Sequence, residues 1–148
     1  MRSESRCFKP ALAEPAKTHG DDKTCVLIAC LLPVLSAGLA KVGSARAKGK
    51  TARYDNRRPH DWSDQLQGWR RRAYAAQQNG WEVLPLFIAG VLLAQQAHAS
   101  QTRIDQLAIA FIVCSFLYIA VYLADYATLR KLIRGTGMAC GIALIGLS

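Results

Sequence analysis

The sequence predicts an all-α integral membrane protein, a four-helix bundle folded as one domain. Three observations carry this. Hydrophobic residues make up 51% of the 148 residues and gather into runs, where a soluble core would disperse them. The runs are of roughly bilayer length. Lysines and arginines flank them and account for the net charge of +9, as the positive-inside rule expects. That charge alone would suit a nucleic-acid partner, but no DNA- or RNA-binding motif accompanies it. The five cysteines have no metal-like spacing. Cys25, Cys30, Cys114 and Cys140 lie in apolar runs and read as small core residues. His19, His60 and His98 are scattered and offer no ligand pair.

Residues 1–23 are polar and mixed in charge, and read as a disordered extension. Glu4, Glu14, Asp21 and Asp22 make the stretch a poor transit peptide. Thr24 to Ala40 is the first span. Pro33 should kink it. A cleaved signal peptide is the competing reading, but the apolar run is longer than a typical signal core and no clear cleavage site follows. Lys41 to Gln67 is a basic loop with turn chemistry at Asp55, Asn56 and Pro59, and Asp61 or Ser63 is placed to cap the next helix.

The second predicted helix, Gly68 to about Ala97, carries the chemistry. Thirty residues at about 1.5 Å each reach near 45 Å, longer than a bilayer core. Arg70, Arg71 and Arg72 should therefore stand at the headgroups with Glu82 below them. At about 100° per residue, Arg72, Gln78, Asn79 and Glu82 fall within about 120° of one another. A polar face on such a helix must meet protein, water or a polar ligand. Ionisable groups inside a membrane mark function by default, and the plainer alternative is glue between helices.

His98 to Asp105 reads as a polar turn and Gln106 to Ala124 as the third span, with Tyr118 and Tyr122 on one face. Interfacial aromatic residues are the plain reading of both tyrosines, and it fits Tyr118 less well because that residue lies deeper. A fourth helix starts near Tyr126 or Leu129, carries Arg130 and Arg134 in its first turns, and ends glycine-rich, which suits close packing. Four spans put both termini on one side. The two basic loops, on the other side, are placed in the cytoplasm.

The residues Asn79-x-x-Glu82-x-x-Pro85-Leu86-Phe87-x-Ala89, with Gln77 two before the Asn, resemble the second helix of the MAPEG proteins, the membrane-associated proteins of eicosanoid and glutathione metabolism. Tyr54-Asp-Asn-Arg-x-Pro is similar to a loop of bacterial members, and Tyr122-Leu-Ala-Asp-Tyr126-Ala fits the family's helix-three pattern. The resemblance covers about residues 24–148. It implies a homotrimer that binds glutathione as co-substrate between protomers near the cytoplasmic face, in the inner membrane if the source is bacterial. Gln77, Asn79, Glu82, Tyr122 and Arg134 are then the binding residues, with Arg72 as a substitute for the family arginine missing one turn on, and Arg130 and Tyr126 are the catalytic ones, with Arg134 the alternative to Arg130. The substrate would be a small lipophilic electrophile or a lipid hydroperoxide. Two departures stand out: Ala75 occupies a position where catalytic members carry an arginine, and Ser115 one where many members do. The alternative is a member of the same fold with a structural or lipid-binding role. A small transporter ranks below both, because no pair of spans is broken at the midplane.

Overall fold

The computed structural model describes residues 21–46, 54, 57 and 59–147. The expected extension over residues 1–20 and half of the Tyr54–Pro59 motif (positions 55, 56 and 58) lie outside the described residues. The helices are α1 (Asp21–Ala45), α2 (Pro59–Asp64), α3 (Gly68–Gln96), α4 (Gln101–Leu123) and α5 (Ala127–Ile145). Among the described residues the architecture is all-helical.

The helices exist where the apolar runs place them, but their ends differ. α1 begins at Asp21, inside the stretch read as extension, and runs on to Ala45. Two acidic residues in its first turn suit the positive end of the helix dipole. Asp22 is buried and accepts a hydrogen bond from the Gln95 amide of α3, so its polar character marks a helix-to-helix contact. α4 starts five residues earlier than expected, at Gln101, with the Gln101 amide donating to Asp105 one turn on at 2.9 Å. The turn before it shrinks to residues 97–100, with His98 at φ 54°. The loop expected between the first two spans contains α2, opened by Pro59, a residue suited to the first helical position. Asp61 and Ser63 therefore lie inside α2 and do not cap α3. The cap position is Gln67, which makes no side-chain cap bond.

α1 packs on α3 and α4, α3 on α4 and α5, and α4 on α5. The main core lies between α3 and α4, where the Phe87 and Phe111 rings stack with centroids 4.0 Å apart. Cys25 and Ala29 of α1 and Leu144 of α5 close it. A second, smaller core sits towards α2, where Trp62 packs edge-on against Tyr54 and Tyr74 over Ala40, Leu66 and Ala73. α3 and α5 approach closely at Gly90: a Cβ there would lie 2.9 Å from the Gly141 carbonyl oxygen and 2.9 Å from the Leu144 Cβ. Small residues permit that approach.

α1 and α4 are each long and apolar enough to cross a membrane, at mean hydropathy 2.2. Leu31, Leu35, Leu39, Val113, Phe116 and Leu117 point outward from these helices. Such wide apolar exposure fits lipid as the surrounding medium.

Candidate functional site

The polar face of α3 meets the start of α5. Asn79 and Glu82, one turn apart, are brought together by Arg134. Its guanidinium donates to Asn79 Oδ1 at 2.7 Å and to Glu82 Oε2 at 2.6 Å. These are short, charge-assisted contacts. Tyr118 and Arg134 line the same cleft. The Glu82 side chain remains 59% exposed, so the cluster stands at the surface of the chain. Beside it a narrow cleft of about 50 Å³ runs inward between the four long helices, lined by Pro33, Asn79, Phe111, Ser115, Tyr118 and Arg134 among others. Its walls are mostly apolar.

A second, more open cavity of about 270 Å³ lies where α3 begins and α4 gives way to α5, lined by Gly68, Arg71, Arg72, Ala75, Tyr122, Asp125 and Arg130. Arg72 is committed there. Its Nε and Nη2 donate to the Leu123 carbonyl at 3.2 and 3.1 Å, and its Nη1 pairs with Asp125 at 3.4 Å. It satisfies a carbonyl left open at the end of α4. Asp125 reaches Arg72 because it sits in the left-handed region, at φ 69°, in the tight turn between the helices; Asp tolerates that conformation better than most residues. Arg130 lies over the Tyr122 ring, 4.4 Å from its centroid, a cation–π contact. Tyr122 in turn packs edge-on against Tyr118, centroids 5.4 Å apart, which joins the two cavities by aromatic contact.

The predicted residues thus fall into two groups. Asn79, Glu82 and Arg134 form one; Arg72, Tyr122 and Arg130 form the other. Two are left aside. Tyr126 is the cap residue of α5 and 64% exposed, and it lines neither cavity. Gln77 lies two residues from Asn79, on the far side of α3. It too lines neither cavity, and its buried Oε1 accepts no hydrogen bond among the described residues.

Residues 23–148, nearly the whole chain, match the sequence model of the MAPEG family. The chain belongs to the MAPEG family. No individual curated protein matches it. In this MAPEG chain the two departures become concrete. Ala75 lines the open cavity with Arg71 and Arg72, so guanidiniums one turn earlier reach the same space. Ser115 lines the narrow cleft, its hydroxyl donating back to the Phe111 carbonyl at 2.8 Å, and brings no charge. Two contributors went unread in the sequence. Asp125 carried a usable signal, an acidic residue in a three-residue gap between helices. Tyr118 reads as deep from its sequence position, but Arg134, which lines the same cleft, is 16 residues on and no spacing rule links them.

Proposed function

We propose that this MAPEG chain is a glutathione-dependent transferase or peroxidase acting on lipophilic electrophiles, working as a four-span homotrimer with its basic loops in the cytoplasm. The supporting observation is the open cavity at the α3–α4–α5 junction, where Arg71, Arg72 and Arg130 converge around Tyr122. Glutathione carries two carboxylates and a thiol. A pocket with several guanidiniums fits such an anion, since each fork suits a carboxylate. Arg72 keeps part of its fork for Leu123 and Asp125, which leaves Arg71 and Arg130 as the stronger anchors.

Glutathione, when bound, supplies a thiol that must ionise to be nucleophilic. A cation within about 4–6 Å favours the thiolate. Arg130 suits this role better than Arg134. Its charge rests on a neutral ring, whereas Arg134 is paired with Glu82 and its positive potential is largely cancelled. Arg134 instead holds Asn79 and Glu82 in place. The Tyr122 ring fixes Arg130, and the Tyr126 hydroxyl remains a candidate donor to the thiolate once a neighbouring protomer covers it. The mainly apolar cleft beside Arg134 suits the lipophilic partner.

The alternative, a MAPEG-fold protein with a structural role, draws support from Ser115, which contributes no charge, and from the saturation of Arg134 by its two partners. Calorimetry on detergent-purified protein separates the two readings. The transferase reading expects a binding isotherm with glutathione and conjugation of a generic electrophile. No heat of binding at millimolar glutathione would overturn it.

A further inference from the structure

We propose that the groove between the end of α1 and the beginning of α3 binds one anionic phospholipid, with its phosphate between Arg46 and Arg70 and an acyl chain along the outer face of α1. The groove is lined by Leu39, Val42, Gly43, Arg46, Trp69 and Arg70 and encloses about 410 Å³. It shares no residue with either cavity described above. The inference requires α1 to cross the membrane, which its length and hydropathy support, and is independent of the glutathione reading.

Three features give the groove its ligand. The first is an apolar stripe. Leu31, Leu35, Leu39 and Val42 follow one another at helical spacing on one face of α1, each about half exposed. At about 1.5 Å per residue the stripe is roughly 16 Å long, about one leaflet of a hydrocarbon core near 30 Å thick. Arg46 is the next position on the same face, so the stripe ends at a cation at the depth where phosphates lie. Arginine stems reach that level readily.

The second feature is the charge. Arg46 and Arg70 bring two guanidiniums to the groove and no acidic side chain lines it. Arg72 and Arg134 each pair with a carboxylate, whereas Arg46 and Arg70 form no ion pair among the described residues. Two guanidiniums favour an anionic headgroup over a choline headgroup, whose own cation they would repel. The third is the shaped wall. The Trp69 ring lies directly on the α1 backbone at Gly43: a Cβ there would overlap Trp69 Cη2 and Cζ2 and approach Arg70 Cγ at 3.2 Å. Glycine thus lets Trp69 and the stem of Arg70 dock against α1 and form the groove's far side. An indole at that depth suits the headgroup region.

Native mass spectrometry of the full-length protein, loaded with equimolar phosphatidylglycerol and phosphatidylcholine, tests this. Phosphatidylglycerol should be retained over phosphatidylcholine by on the order of tenfold, and the Arg46→Gln/Arg70→Gln double variant should lose that preference. A large excess of free glycerol phosphate should leave the adduct in place, because the acyl stripe is part of the site. A second measurement uses a variant with Trp69 as sole tryptophan (Trp62→Phe, Trp81→Phe) in bilayers. Brominated phosphatidylglycerol should quench its fluorescence more than brominated phosphatidylcholine does. Equal retention of both headgroups, a preference that survives the double substitution, or displacement by glycerol phosphate would each overturn the proposal. So would a Trp69 that neither brominated lipid quenches, which would mean that another copy of the chain covers the groove.

Discussion

At the scale of single residues, the two arginines of α5 differ in what neutralises them, and that difference makes opposite predictions. Arg130 sits on the Tyr122 ring and keeps its charge available. Replacing it with Gln should raise the thiol pKa of bound glutathione toward the free value of about 8.5, by about one to three units if the charge is close. Lys should retain part of the effect, because the charge survives without the planar fork. S-methylglutathione, with no thiol to ionise, should bind Arg130→Gln nearly as well as wild type. Arg134 is held by Glu82 at 2.6 Å. Glu82→Gln removes the neutralising carboxylate, so the field at the cavity becomes more positive and the thiol pKa should fall. Thiolate absorbance titrations of wild type, Arg130→Gln and Glu82→Gln read both signs at once. Titration curves that coincide would leave Arg130 as a headgroup anchor and Glu82 as helix glue.

At the scale of elements, the helices were legible because apolar runs of bilayer length have few other solutions, and their ends were not, because polar residues can belong to a helix whose partner is distant in sequence. Asp22 reads as part of a disordered polar extension until Gln95, 73 positions away, is seen to donate to it. Gln101 and Asp105 read as a turn, yet they satisfy one another along a helix. The same limit applies to the site. Asn79 and Glu82 were legible from helical spacing; that Arg134 joins them while Gln77 faces elsewhere depends on the crossing of α3 and α5. That crossing is set by Gly90. Gly90→Val should force α3 and α5 apart, at a cost of about 1–3 kcal/mol for overpacking, seen as a lower thermal midpoint in detergent. It should also loosen the Arg134 cluster, which the same two helices position. Gly135→Val is the control, since nothing lies within 4 Å of a Cβ there. Equal midpoints for the two variants would mean that the helices adjust without strain.

At the scale of the whole molecule, an isolated chain leaves Glu82 more than half exposed at the head of the apolar run Val83–Ala94. A carboxylate facing hydrocarbon is costly, and pairing with Arg134 reduces that cost without removing it, because much of the pair is still uncovered. A second copy packed over Asn79, Glu82 and Tyr126 would cover it and would also enclose the open cavity, so assembly and binding are coupled in this arrangement. Chemical crosslinking in mild detergent should give a ladder that stops at three chains. Asn79→Ala and Glu82→Ala should then lower both the trimer fraction and glutathione affinity. A ladder confined to monomer would sink the trimer. A lower trimer fraction, with no glutathione effect in any variant, would assign Asn79 and Glu82 to assembly alone. Adding glutathione to wild type supplies the reciprocal measurement: a ligand bound between chains must stabilise the trimer it bridges, whereas one bound within a single chain leaves the monomer–trimer balance where it was.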